Sequence, residues 1–202
     1  LNFISFHRLE RTILANDPAA DRELLRKAFD YAREVHAGQV RDEGTPYFVH
    51  PYRVALYMAQ VMGVGDARVI ASALLHDVIE DGDGVTPEVL KEMFGPEISE
   101  SVHLLSKPPM KGFADKTARD EAYYRQLQSA SHDVLMIKIA DRLDNLRTLR
   151  LSPSVEKQRR YSLATRRHIL PVAMERFPRA GEEMERLLSN REKGLETPGQ
   201  AS

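Results

Sequence analysis

The sequence predicts an all-α protein. Three observations carry that expectation. Apolar residues recur at three- and four-residue spacing through most of the chain. Where such a stripe begins, a capping Asp, Ser or Thr, or a proline suited to the first turn, usually stands in front of it. No segment alternates apolar and polar residues as a strand would.

Taken in order, residues 1–16 are weakly amphipathic and are expected to be an N-terminal extension. Asp17-Pro18 supplies a cap and a first-turn proline for a helix to about Ala37, with Leu24, Leu25, Ala28, Phe29, Ala32 and Val35 as its stripe. Gly38 stops it, and Gly44 and Pro46 mark a loop from Gln39 to Val49. His50-Pro51 opens the next helix, whose stripe is Val54, Ala55, Met58, Ala59 and Met62. Asp66 caps a third, predicted from Ala67 to about Ile79 and apolar on most sides, which places it at the centre of the core. Thr86-Pro87 and then Pro96 start two short helices, the first ending at Phe94-Gly95 and the second at about Leu105. Ser106 to Thr117, with two prolines and Gly112, is a loop; helix is predicted from about Ala118 to Gln128. Ser131 to Asp133 caps a long helix to about Arg150. Pro153 restarts the chain into another to about Phe177, kinked at Pro171, and Pro178 and Gly181 precede a last helix. One domain over 17–195 and a disordered tail over 196–202 complete the expected organisation.

Composition removes several function classes. The absence of cysteine excludes disulfides, thiolate zinc fingers, iron–sulfur clusters and thiol nucleophiles. Any metal ligands must be His, Asp or Glu, which suits manganese, iron(II) or zinc. A net charge of -1 provides no basic field for a nucleic-acid duplex. The apolar runs are too short for a membrane span, and the first residues lack the pattern of a secretory signal. The expected setting is therefore the cytoplasm, without nucleic-acid or membrane partners. A first residue other than Met suggests a processed or trimmed chain.

The chemistry centres on Ala73-Leu74-Leu75-His76-Asp77-Val78-Ile79-Glu80-Asp81, an apolar run that ends in imidazole and carboxylates. An isolated charge buried there would cost several kcal/mol, on the order of the desolvation penalty for one ion. A bound metal removes that cost by making His76 and Asp77 ligands. A His-Asp pair alone is more often a hydrogen-bonding pair at a helix end, so further ligands are needed to raise the odds. Asp141 lies inside the apolar helix Val134–Leu149, sharing a stripe with Lys138, Asn145 and Thr148; an internal ion pair with Arg142 or Arg147 is its structural alternative. His50 stands at a helix start, where a ring can point into a cleft. Together His50, His76, Asp77 and Asp141 make two imidazoles and two carboxylates, a set suited to one divalent ion with room for water. Glu80, with Asp81, is placed to orient such a water or move its proton.

These stretches resemble the HD-domain metal phosphohydrolases, and more closely the hydrolase domain of the RelA/SpoT homologues and their stand-alone form, the small alarmone hydrolases. The resemblance runs through His36-Ala37-Gly38-Gln39-Val40-Arg41, Gly44-Thr45-Pro46-Tyr47-Phe48-Val49-His50-Pro51, Ala73 to Asp81, Phe94-Gly95 and Ile137 to Leu149, and covers about residues 20–180. It implies an HD-domain helical bundle with a central manganese, or another divalent ion, at His50, His76, Asp77 and Asp141. It implies Glu80 and Asp81 as the acidic pair acting on the attacking water. The implied reaction removes the 3′-pyrophosphate of the guanosine alarmones (p)ppGpp, giving GDP or GTP. Arg41 matches the family's base-stacking arginine and Asn145 its ribose contact, with Thr148 beside it; Lys157 and Arg160 are candidate phosphate contacts. Tyr47 is expected to pack its loop against the core.

The chain departs from the family in places. Asp42 and Glu43 replace a lysine and a small polar residue after the stacking arginine, Asp144 replaces an aromatic or histidine, and Gly82 replaces a threonine. The acidic pair leaves an adenosine alarmone open as substrate, alongside the 3′-phosphate of NADPH and a non-catalytic nucleotide sensor. No synthetase segment follows in this sequence, so a hydrolase without the opposing activity is expected.

Overall fold

In the computed structural model, residues 4–196 are described. Among them the regular structure is helical throughout, and a single bridge between Val40 and Pro46 is the one β contact. The helices are α1 (Phe6–Asn16), α2 (Arg22–Val35), α3 (Val49–Gln60), α4 (Ala67–Leu75), α5 (Val78–Asp81), α6 (Pro87–Phe94), α7 (Pro96–Leu105), α8 (Lys116–Gln128), α9 (His132–Thr148), α10 (Val155–Ala164), α11 (Leu170–Arg176) and α12 (Pro178–Glu196).

The long α9 is the axis of the bundle. Its stretch Val134–Leu146 is buried nearly throughout, and α3, α4, α7, α8 and α12 pack around it. Side-chain caps start the elements the sequence marked: Asp66 accepts from the Arg68 amide, Thr86 from Val89 and Ser131 from Val134. Such a cap contributes about 1 kcal/mol. Pro87 and Pro96 occupy first turns, where a missing N–H costs nothing.

Several boundaries differ from expectation for local reasons. Residues 6–16, read as part of an extension, form α1, and Phe6, Leu9 and Ile13 enter the core against α3. Asp17 closes that helix, while Asp21 caps α2 through the Leu24 amide. The third predicted helix stops at Leu75 rather than Ile79, because the chain breaks at His76-Asp77 before the short α5. Pro171, which cannot donate to the preceding turn, is accommodated by a widened π turn over Thr165–Ile169. Gly181 lies within α12 rather than before it: a Cβ there would meet the Met174 backbone nitrogen at 2.8 Å, so the glycine permits close packing of α12 on α11. The last helix includes Glu196; the remainder of the expected tail, 197–202, lies outside the described residues.

Candidate metal centre and adjoining cleft

The break after Leu75 builds the centre. Neighbouring residues on an unbroken helix point about 100° apart. At the junction, Asp77 takes φ -102° and ψ -4°, and its Oδ1 approaches His76 Nε2 to 3.3 Å. Gly82, closing α5, has no room for a side chain: a Cβ would meet the Val78 carbonyl at 2.4 Å and Val35 at 2.7 Å.

Three elements bring the expected ligands together. His50 comes from the first turn of α3, His76 and Asp77 from the α4–α5 junction, and Asp141 from the middle of α9. His50, His76 and Asp141 offer ligand atoms all within 4.8 Å of one another. Asp77 flanks this trio on the imidazole side, with Oδ2 3.6 Å from His50 Nε2 and Oδ1 3.3 Å from His76 Nε2. His50 Nε2 also lies 3.2 Å from Asp141 Oδ1 and 3.3 Å from His76 Nε2.

The hydrogen-bond network assigns both imidazole tautomers. His76 Nδ1 donates to the Ala73 carbonyl at 2.8 Å, and His50 Nδ1 donates to Asp144 Oδ2 at 2.7 Å. In the neutral rings both Nε2 lone pairs then face each other and the oxygens of Asp77 and Asp141. Four electron-pair donors pointing inward repel one another unless a cation lies between them, so the donor set fits a divalent ion. His50 shows the same demand, since without an ion a proton on Nε2 takes the place of the cation. Burial alone would push its imidazole down, but bonds to Asp141 and Asp144 outweigh it and lift the ring to about 9. Burial also opposes ionisation of Asp77, yet the two imidazoles hold it below the usual carboxylate range.

The surrounding groups fix these ligands. Asp141 Oδ2 pairs with the buried Lys138 Nζ at 2.8 Å, not with Arg142 or Arg147, and Oδ1 accepts from Asn145 Nδ2 at 2.5 Å. Against its burial, Asp141 is held well below the ordinary range by Lys138. Arg147 instead pairs with Glu183, and Arg142 reaches Tyr124 and lies over the Tyr161 ring. Arg53 grips Asp144 with two bonds, at 2.8 and 2.9 Å, so a guanidinium, a carboxylate and an imidazole form one chain ending at His50 Nε2. No local pattern announces this chain, since Arg53 and Asp144 are 91 residues apart.

Tyr47 has a larger part than packing. Its ring stacks on His36 with centroids 4.6 Å apart, and its hydroxyl lies 2.7 Å from Asp81 Oδ2 and 3.0 Å from Asp77 Oδ2. One phenolic proton serves one carboxylate at a time, so Tyr47 couples Asp77 to Asp81. Glu80 does not lie on one continuous helix with His76, because the helix breaks between them. Its Oε1 accepts from the Lys107 amide at 2.8 Å. Glu80 and Asp81 are open to solvent along one side, yet loss of hydration around their carboxyl groups shifts both above their ordinary values.

Beside the centre runs a cleft of about 300 Å³, lined among others by Arg41, Asp42, Asn145, Thr148, Lys157 and Tyr161. Asn145 joins it to the centre, accepting from Arg41 Nη2 at 2.6 Å while donating to Asp141. Arg41 also donates to Glu43 at 3.0 Å, which sets the plane of its guanidinium. Thr148 turns its hydroxyl back to the Asp144 and Asn145 carbonyls. Lys157 donates to Asp42 at 2.6 Å. Arg160 is exposed on α10 and is not among the residues lining the cleft, so the structure does not join it to the other candidates.

Known proteins resemble this chain in sequence and fold. The family model described as HD domain matches residues 28–168, a span holding all four ligand candidates. The chain belongs to the HD-domain family. Within it, the chain is 40% identical over 155 residues to a guanosine-3′,5′-bis(diphosphate) 3′-pyrophosphohydrolase of Vibrio cholerae, covering 75% of this chain and 21% of that protein. It is 37% identical over 175 residues to the bifunctional (p)ppGpp synthase/hydrolase SpoT of Escherichia coli, covering 85% of this chain and 24% of the relative. A probable GTP pyrophosphokinase of Mycobacterium leprae is 38% identical over 158 residues, covering 77% of this chain and 19% of that one. The chain thus spans about a fifth to a quarter of these curated relatives. A solved structure of a metazoan orthologue of SpoT that hydrolyses ppGpp superposes with a TM-score of 0.73 at 25% identity, covering 85% of this HD-domain chain and 96% of that one. Among the described residues, no helix is long and apolar enough to cross a membrane.

Proposed function

We propose that this HD-domain protein hydrolyses the 3′-pyrophosphate of guanosine alarmones (p)ppGpp, with a divalent ion, manganese in this reading, held by His50, His76, Asp77 and Asp141. The observation that carries the proposal is the convergence of two imidazole nitrogens and two carboxylates beside an open cleft. The relatives named for the same reaction support it. When bound, such an ion supplies Lewis-acid chemistry and brings the acidity of water to near neutrality.

The chain's own groups account for the remainder. Water adds its oxygen to the phosphorus on the ribose 3′ oxygen, that P–O bond breaks, and a proton goes to the 3′ oxygen. Glu80 and Asp81 are the carboxylates that take and return protons; their raised proton affinity suits that exchange. Tyr47 orients Asp81 against Asp77. Asn145 and Arg41 hold the nucleoside next to the centre, Arg41 offering a planar face already fixed by Glu43. A cytoplasmic small-molecule enzyme goes with this reading.

Incubating the protein and manganese with ppGpp tests it, with release of one pyrophosphate per GDP expected. Folded, ion-loaded protein that releases none would contradict it.

A further inference from the structure

The cleft contains a second polar cluster that the hydrolytic chemistry does not use. Asp42 Oδ2 accepts from the Ser152 hydroxyl at 2.8 Å and from Lys157 Nζ at 2.6 Å. The side chains of Asp42 and Lys157 are 40% and 48% exposed, so a ligand can reach both. Glu43 behaves differently. It is 8% exposed and committed to Arg41 and Thr45, which leaves Asp42 as the acidic group offered to the cleft. The Lys157 ammonium keeps the Asp42 carboxyl below its ordinary range, so the group is ionised at neutral pH.

A phosphate fits this cluster poorly, because the carboxylate repels it and already neutralises the ammonium. A base edge fits well. The Watson–Crick edge of guanine carries one acceptor, O6, beside two donors, N1–H and the 2-amino group. An aspartate and a lysine side by side present the complement, one donor beside acceptor oxygens. Adenine would set its 6-amino donor against the ammonium and its N1 lone pair against the carboxylate. The leucine and tyrosine walls, Leu149 and Tyr161, suit the faces of a planar ring.

We propose that Asp42 and Lys157 form a guanine-reading pair, the carboxylate accepting N1–H and the 2-amino group and the ammonium donating to O6. This rests on the hydrolase reading only in taking a nucleotide as the ligand of the cleft. The acidic residue that departs from the family pattern thereby favours guanine over adenine.

The test compares the affinities of guanosine, inosine and adenosine 3′,5′-bis(diphosphates) for the full chain carrying Glu80→Gln, so that bound nucleotide is not consumed. Inosine lacks the 2-amino group and isolates the carboxylate's share. Guanosine is expected to bind about tenfold or more tighter than inosine, with adenosine weakest, in the range a bidentate base contact supplies. Adding Asp42→Asn or Asp42→Ala should bring the guanosine-to-inosine ratio toward one and leave manganese affinity unchanged. Adding Lys157→Met should weaken guanosine and inosine together and preserve their ratio. An unchanged ratio in both Asp42 variants, a preference for adenosine, or binding of none of the three overturns the proposal. The hydrolase reading is judged separately by wild-type turnover. Guanosine-selective binding without pyrophosphate release would sink that reading and keep this one; equal turnover of guanosine and adenosine substrates would do the reverse.

Discussion

The candidate metal centre and the cleft beside it are built on opposite terms. At the centre, His50, His76 and Asp141 are all under 5% exposed, and each is held by a further buried or half-buried group: Asp144, the Ala73 carbonyl and Lys138. Low local polarity makes those bonds strong and an unpartnered group costly, so the geometry is set before any ligand arrives. In the cleft, Asp42 and Lys157 form an ion pair in contact with water, of the kind worth little and weakened by salt. The difference separates two tasks. In the proposed reading the reaction falls to the rigid constellation, and substrate choice to exchangeable groups that can vary without endangering the fold.

Substitutions should therefore wreck one region and tune the other. The largest effect is expected from Asp141→Ala. It removes a ligand and leaves Lys138 buried without its partner, costing about 3–5 kcal/mol in denaturant unfolding together with loss of ion binding. Full stability in this variant would break the comparison at its firmest point. Next comes Glu80→Gln, which should keep the ion and lose turnover by roughly 10²–10⁴-fold. The Glu80 carboxyl sits above its ordinary 4.5, so its base form is lost at higher pH than an ordinary glutamate as pH falls. The acid limb of the wild-type rate should shift up accordingly. A third, smaller effect is expected at Asp144. Replacing it by Ala should weaken manganese about 10–100-fold, because His50 loses the acceptor that fixes its tautomer. Calorimetric titration reads that loss, and the rise in Tm on adding manganese should shrink with it. Smallest is Lys157→Met, for which unfolding should change by no more than about 0.5 kcal/mol. A large loss there would show the cleft to be as structural as the centre.

How much of this was legible depended on the range of the interaction. Caps at Asp66, Thr86 and Ser131 lie within three residues of the amides they satisfy, so the sequence displays them. The pairing of Lys138 with Asp141 is also local, at i,i+3 on one helix face, where Arg142 and Arg147 compete as partners in the sequence. The alternation of Asp17 and Asp21 misled because both can cap, and only tertiary packing of α1 decides between them. Helical periodicity continues past Leu75, so the break at His76-Asp77 had no local signature. The four candidate ligands stand out by their chemistry and by resemblance. Arg53, Asp144 and the hydroxyl of Tyr47 were not, since their partners stand 30 to 94 residues away and nothing local distinguishes them from ordinary surface or packing residues.

Manganese-loaded crystals of the full chain, measured for anomalous scattering, test the central claim most directly. One peak is predicted, bounded by His50 Nε2, His76 Nε2 and the carboxylates of Asp77 and Asp141, and absent in Asp141→Ala. A peak elsewhere, or none while those four side chains keep their positions, would contradict it.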